Sequence, residues 1–138
     1  TPVGAMIHAH RDRVSKCLRK RGKGVSSLEW LGCSPEYFVI HLERMFGPTM
    51  TMENHGEVWT VDHIKPISAF DLDKPEEKAA CFHFSNMQPL LTRENIEKGD
   101  KWDPANEWQV TERRTRAEAA YAAFLAGQAA RAPDTPQA

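Results

Sequence analysis

Long apolar runs are missing from this 138-residue sequence, which never approaches the roughly 20 consecutive apolar residues that cross a bilayer. Its first residues also lack the apolar core of a signal peptide. These absences predict a protein that makes no membrane contact, and the expected location is the cytoplasm.

Cysteine is scarce as well, with Cys17, Cys33 and Cys81 in the whole chain and no CxxC pair. An odd number of cysteines at wide spacing indicates neither a disulfide framework nor a zinc ribbon. We expect all of them to behave as small buried hydrophobic residues.

The overall composition is ordinary, with 41% hydrophobic and 27% charged residues. These values are typical of a folded globular protein and argue against extended disorder. At this length we expect one compact domain.

The net charge of -1 hides an uneven distribution of charge along the chain. Residues 1–24 hold seven Lys or Arg against Asp12 alone, a net charge of +6, and the remainder therefore carries -7. An apolar stripe of Ile7, Val14 and Leu18 predicts a helix from Met6 to about Arg21. The one-sided charge predicts that this basic helix contacts the phosphates of a polyanion. The candidate phosphate contacts are Arg11, Arg13, Lys16, Arg19, Lys20 and Arg21.

Local signals predict a helix and then a short strand in the first half of the chain. Ser34 followed by Pro35 is typical of a helix start. The β-branched and aromatic run at residues 58–61 indicates a strand. That strand should end near the acid-histidine pair that follows, because Pro66 cannot donate to a β-ladder. The helix residues expected in the core are Phe38, Leu42, Met45 and Phe46.

The second half of the chain predicts a short helix, a second strand and two further helices. The short helix, at residues 75–82, lies within a long excursion over residues 67–85. A strand follows at residues 87–91, and Thr92 can cap a helix that begins at Arg93.

The C-terminal part of the chain is rich in alanine, which favours a helix over residues 112–130. Tyr121, Phe124 and Leu125 are the side chains expected to dock this helix on the core. The proline-containing tail after Arg131 is expected to be disordered.

Asp62, His63 and Asn95 match the requirements of phosphodiester hydrolysis, which needs an activated water and neutralisation of phosphoryl charge. Mg²⁺ prefers oxygen ligands and keeps several waters, so Asp62 and Asn95 can supply the protein ligands. His63 is suited to the role of general base, because histidine titrates near neutral pH. Consecutive residues of a regular strand point to opposite faces, so this pair must lie where the strand ends or is distorted.

Three ordered segments, at residues 59–66, 86–90 and 94–98, read WTVDHIKP, NMQPL and ENIEK. Together they resemble the HNH nuclease family, and in detail the short HNH endonucleases that phages and prophages encode. The resemblance covers residues 55–102 closely and residues 28–54 more loosely. It implies a ββα-metal (His-Me finger) fold, in which two short strands and a helix hold one divalent ion against the scissile phosphate.

The resemblance also implies a role for each candidate site residue. His63 would be the general base and Asp62 a metal ligand, while Asn86 would fix the loop and help to orient the histidine. Asn95 takes the third motif position, where many members have histidine, so this chain resembles an HNN variant. Lys98 is a further candidate contact to DNA. The implied cofactor is one divalent ion, Mg²⁺ first, with Mn²⁺ or another divalent transition metal as alternatives.

These expectations amount to an α+β fold with a ββα-metal core at residues 58–102. Residues 1–57 would add a basic and an amphipathic helix, and residues 103–138 a C-terminal helix and tail. Many family members bind a structural zinc through two CxxC pairs, which this chain lacks, so no structural zinc is expected. The excursion at residues 67–85 lengthens the gap between His63 and Asn86 relative to compact members.

The predicted activity is metal-dependent cleavage of DNA that leaves 5′-phosphate and 3′-hydroxyl ends, in the cytoplasm of a bacterial host. The expected partners are DNA and phage packaging or recombination proteins. One alternative is a DNA-binding accessory module of the packaging machinery that does not cut. A separate alternative is that His83, flanked by Phe82 and Phe84, is the catalytic histidine in place of His63. A further alternative is a zinc site. The residues of that zinc site would be His55, His63, Cys81 and His83.

Overall fold

The computed structural model describes residues 1, 4, 5, 8 and 30–131. The predicted basic helix, apart from residue 8, and the predicted disordered tail lie outside the described residues. Residues 30–131 form a mixed α+β structure of four helices and one two-stranded antiparallel sheet. No helix in this described part of the chain is long and apolar enough to span a membrane.

Helix α1, Pro35–Glu43, begins where the sequence predicts. The hydroxyl of Ser34 accepts a hydrogen bond from the main-chain N of Tyr37 (3.2 Å), which pairs one of the first amides of the helix. Phe38 and Leu42 are fully buried and belong to the same apolar cluster as Trp59 of the sheet. The main apolar cluster therefore lies between α1 and the sheet.

Strands β1 (Trp59–His63) and β2 (Met87–Leu91) pair in antiparallel register, with Asp62 opposite Gln88. β2 has the predicted bounds, whereas β1 extends past the predicted residue 61 and includes both members of the acid-histidine pair. The predicted end of β1 near this pair is confirmed. Pro66 follows three residues later and has no amide hydrogen with which to continue the ladder.

Helices α2 (Pro75–Phe82) and α3 (Thr92–Lys98) come before and after β2 in the chain. α2 has the predicted bounds and contributes to a second apolar cluster. α3 follows β2 directly and ends at Gly99, whose positive φ of 54° is a conformation that glycine adopts readily. The buried residues of the second cluster are Phe70, Leu72, Cys81 and Phe82.

Helix α4, Trp108–Arg131, begins earlier than the predicted residue 112 and is joined to the start of α1. The hydroxyl of Tyr121 accepts a hydrogen bond from the main-chain N of Ser34 (3.1 Å). The rings of Tyr121 and Phe124 lie 4.7 and 4.9 Å from the ring of Tyr37. These contacts confirm Tyr121 and Phe124 as docking residues.

Two side chains that the sequence placed in the core are exposed, so those predictions are wrong. Met45 is 41% exposed because α1 ends at Glu43, before the apolar stripe can continue to it. Leu125 is 45% exposed because it follows Phe124 by one residue, about 100° around the helix from the docked face.

Thr92 does not cap α3, so this prediction is also wrong. Its hydroxyl instead donates a hydrogen bond to the main-chain oxygen of Glu57 (3.0 Å). Leu91 occupies the cap position, and its side chain has no oxygen that could accept from the helix amides. The start of α3 therefore depends on the sheet that precedes it.

The described cysteines have the character of buried hydrophobic residues. Cys81 is fully buried, and Cys33 packs partly buried against the main cluster. Burial raises the pKa of the Cys33 thiol from 9.0 to about 12, so it stays protonated at neutral pH. Cys17 lies outside the described residues.

Candidate active site

A cavity of about 340 Å³ lies beside the end of β1. Asp62 and His63 line it from β1, Asn95 and Lys98 line it from α3, and Pro66 and Ile67 line it from the segment after β1. The structure thus brings three of the predicted catalytic and metal-binding residues to one cavity. The adjacent pair can both reach it because β1 ends at His63.

The carboxylate of Asp62 is held from two sides. Gln88, directly opposite on β2, donates from Nε2 to Oδ2 (2.9 Å). Lys98 of α3 donates from Nζ to Oδ1 (3.1 Å). Asp62 is only 5% exposed, and a buried carboxylate needs such partners to offset the loss of hydration. The two contacts fix its orientation at the cavity wall.

Asn95 is anchored by Thr60, two residues before Asp62 on the same face of β1. The amide Nδ2 of Asn95 donates to the hydroxyl oxygen of Thr60 (2.8 Å). One helical turn later, Lys98 contacts Asp62. Asn95 and Lys98 lie on one face of α3, and Thr60 and Asp62 lie on one face of β1. The two contacts between these faces therefore fix how the helix lies along the strand.

His63 is buried at the last position of β1. Its ring meets the ring of Phe82 edge-on, with a centroid distance of 6.0 Å. Its main-chain oxygen accepts a hydrogen bond from Nζ of Lys98 (2.8 Å). Phe82 of α2 thus positions the imidazole of His63, and Lys98 of α3 holds the main chain of His63.

Asn86 does not line the cavity but fixes the loop that leaves His63. Its Oδ1 accepts from the main-chain N of Lys65 (2.9 Å), and its Nδ2 donates to the main-chain oxygens of Lys65 (3.0 Å) and Cys81 (3.1 Å). Its own main-chain oxygen accepts from Ile64 (2.8 Å). One buried amide therefore ties the exit of β1 to the end of α2.

Lys65 is a structural residue of this region that sequence reasoning did not single out. It is buried, its Nζ lies 2.7 Å from Oε1 of Glu107, and it sits 4.3 Å from the centre of the Phe70 ring. The pair joins the loop after β1 to the residue before α4. No local pattern indicates it, because the two residues are 42 positions apart.

The predicted DNA contacts at residues 11–21 lie outside the described residues. Lys98, the remaining contact candidate, is mostly buried on Asp62, with 23% of its side chain exposed. Thr60 and Gln88 were also missed by sequence reasoning. The period of two along a strand would have found Thr60 once Asp62 was singled out.

The other two histidines of the proposed zinc site, His55 and His83, pack against aromatic side chains. The ring of His55 packs on Trp59 with a centroid distance of 4.8 Å. His83 is buried against Ser85 and stacks on Phe84. Within the described residues, no group of three or more His, Cys, Asp or Glu side chains is placed to hold a metal ion.

His83 is held in its neutral form by its surroundings. Its Nδ1 accepts a hydrogen bond from the main-chain N of Ser85 (3.1 Å), so the ring proton is on Nε2, 3.5 Å from Glu118. Burial, followed by the nearby charge of Arg114, lowers the pKa of His83 from 6.5 to about 4. His83 is therefore a packing residue and a poor proton acceptor at neutral pH.

The lowered pKa of His83 predicts that the stability of the protein depends on pH. Between pH 6.5 and about 4 the unfolded chain binds a proton at His83 that the folded chain does not, so stability falls as the pH is lowered through this window. We expect His83 to contribute about 2 kcal/mol to this loss, and His83→Gln to remove that share. Urea unfolding of both proteins at pH 7 and pH 4.5 checks it. Equal losses in the two proteins would contradict it.

Comparison with known proteins finds similarity to viral proteins of undescribed activity. "Uncharacterized protein L246" of Acanthamoeba polyphaga mimivirus is 39% identical over 93 residues, 67% of this chain and 41% of the relative. "Uncharacterized protein L426" of the same virus is 37% identical over 91 residues, 66% of this chain and 40% of the relative. The chain thus spans about two fifths of the length of the curated relatives it matches. No family model matches the chain, and no solved structure gives a significant match.

Proposed function

We propose that this chain is a metal-dependent DNA endonuclease of the HNH type, with residues 58–102 as its ββα-metal core. One observation carries the proposal, namely that Asp62, His63 and Asn95, from two distant segments, line the same cavity. The order of strand, strand and helix around them accords with the resemblance of the sequence. The viral origin of both relatives accords with a virus-encoded enzyme.

The residues at the cavity fit an oxygen-preferring divalent ion. Asp62 offers a carboxylate at the wall, and Asn95 can present its amide Oδ1 while Nδ2 is anchored on Thr60. Mg²⁺ takes such ligands and retains several waters, for which a cavity of about 340 Å³ has room. The chemistry that a divalent ion supplies there is neutralisation of phosphoryl charge and stabilisation of the departing 3′ oxygen.

The chain's own residues supply the remaining functions. His63 accepts the proton of the attacking water, which is the role of a general base. Phe82 limits the motion of its ring, and Asn86 fixes the backbone that follows it. His63 is buried and lines the cavity, so the attacking water would reach its imidazole from the cavity.

A plasmid assay with an Asp62 variant tests the proposal. Wild-type protein with Mg²⁺ or Mn²⁺ should convert supercoiled plasmid to nicked or linear DNA. Asp62→Asn preserves shape but removes the ligand charge, and it should lower the rate by roughly a thousandfold. Asp100→Asn is the matched control, because Asp100 lines the same cavity without being a proposed ligand, and its rate should stay near that of wild type.

The same assay separates an enzyme from a non-cutting accessory module. An accessory module would shift plasmid or oligonucleotide in a gel but leave supercoiled DNA intact at every protein and metal concentration. That result would overturn the nuclease proposal. Cleavage by wild type that Asp62→Asn loses and Asp100→Asn retains would exclude the accessory module.

A further inference from the structure

Lys98 contacts the carboxylate that is the proposed metal ligand. Its ammonium donates to Oδ1 of Asp62 at 3.1 Å and to the main-chain oxygen of His63 at 2.8 Å. The other carboxylate oxygen is engaged by the neutral amide of Gln88. Lys98 therefore balances the negative charge of Asp62. The atom it contacts, Oδ1 of Asp62, is also an oxygen that would serve as a metal ligand.

We propose that Lys98 is a resident counter-ion of Asp62 that a divalent ion displaces, and that the released ammonium then contacts a DNA phosphate. The inference rests on the proposed metal site at Asp62. Two cations on one carboxylate oxygen repel each other, so the ion and the ammonium exclude each other from it. Lysine suits this exchange because its charge is carried on a flexible stem, unlike the planar fork of arginine.

The position of Lys98 in the fold allows the ammonium to move without loss of α3. Lys98 is the last residue of the helix, and Gly99 follows it with a positive φ of 54°. Its side chain is 23% exposed and lines the cavity, so a short rotation carries the ammonium into open solvent. A cation near a helix C-terminus remains favourable there, since the helix dipole is negative at that end.

The exchange makes metal binding and phosphate binding cooperative. In the free protein the ion has to displace Lys98, which weakens its apparent affinity. A DNA phosphate that draws Lys98 away from Asp62 removes this competition, and by reciprocity the bound ion favours the contact of Lys98 with phosphate. Asp62 is thereby kept neutralised whether or not an ion is bound.

The test measures Mn²⁺ binding to the free protein by electron paramagnetic resonance, without DNA and without any activity readout. Lys98→Met should bind Mn²⁺ about tenfold more tightly than wild type, since one nearby charge shifts an ionic equilibrium by an order of magnitude or more. Lys98→Gln should change affinity in the same direction and serves if the methionine variant does not fold. Lys101→Met is the matched control, because Lys101 is an exposed lysine just beyond α3, and its affinity should equal that of wild type.

Asp62→Asn in the same titration separates failure of the inference from failure of the proposed function. If Asp62→Asn loses Mn²⁺ binding but the Lys98 variants bind no more tightly than wild type, the exchange is overturned and the metal site is retained. If Asp62→Asn binds as wild type does, the metal site itself is overturned. In unsubstituted protein, the Lys98 ammonium signal in ¹H–¹⁵N spectra should change on addition of Mg²⁺, and an unchanged signal at saturating Mg²⁺ would overturn the exchange.

Discussion

His63→Ala should lower the rate of plasmid cleavage by about a thousandfold, within the range of 10²–10⁴ that a general base contributes. The variant loses the imidazole that takes the proton of the attacking water, whereas Asp62 and Asn95 remain in place. Mn²⁺ affinity should therefore stay near that of wild type. The measurement is the nicking rate under single-turnover conditions, together with the Mn²⁺ titration and a thermal melt.

His55→Ala is the matched control for this substitution. His55 also packs its ring against an aromatic side chain, that of Trp59, but it does not line the cavity. His55→Ala tests whether the loss of a packed histidine ring that does not line the cavity is enough to lower the rate of cleavage. Full metal-dependent cleavage by folded His63→Ala, or an equal loss in His55→Ala, would remove His63 from the role of base.

Elements that are set by local chemistry could be predicted from the sequence. α2 and β2 have their predicted bounds, and α1 begins at the predicted Ser34 cap. Proline at a helix start, a capping hydroxyl and a β-branched run each act over a few residues, so they can be read without knowledge of the fold. The helix stripe also identified Phe38 and Leu42 as core residues.

Features that depend on where another element ends could not be predicted. Met45 and Leu125 continue apolar patterns, yet they are exposed, since α1 ends before Met45 and Leu125 lies off the docked face of α4. Thr92 has the chemistry of a cap, but the nearby oxygen of Glu57 engages its hydroxyl instead. Local sequence indicates which side chains can be buried or can cap a helix, but tertiary contacts determine which of them are.

The candidate site shows the same division. The acid-histidine pair was identified from its own chemistry, and its place at the end of β1 was predicted from Pro66. The contact of Lys98 with Asp62 joins residues 36 positions apart, so the sequence could suggest a DNA contact for Lys98 but not its partner. Long-range ion pairs have no local signature, because they depend on how α3 lies on β1.

Asn86→Ala should cause the largest loss of stability among the site variants. Asn86 is 5% exposed, and its side chain pairs three main-chain groups, N and O of Lys65 and O of Cys81. Alanine leaves all three groups without that partner in a buried place, where each costs about 1–3 kcal/mol. We expect the free energy of unfolding to fall by about 3 kcal/mol or more, measured by urea unfolding with an unchanged m-value.

Asn54→Ala is the control for loss of asparagine hydrogen bonds to main-chain groups in an exposed place. Oδ1 of Asn54 accepts from the main-chain N of Thr51 (2.9 Å), and Nδ2 donates to the main-chain oxygen of Thr49 (2.8 Å), in an exposed turn. Water can replace these partners, so its loss should be about 1 kcal/mol or less. Equal losses in the two variants would show that burial of the Asn86 amide contributes nothing beyond its hydrogen bonds.

Asn86→Asp separates the loss of hydrogen bonds from the loss of side-chain volume. Aspartate keeps an acceptor for the main-chain N of Lys65, but it turns a second oxygen toward the main-chain oxygens of Lys65 and Cys81. Like partial charges then face each other in a buried place, so stability should fall about as far as in the alanine variant. Near wild-type stability of Asn86→Asp would mean that this amide does not fix the loop behind His63.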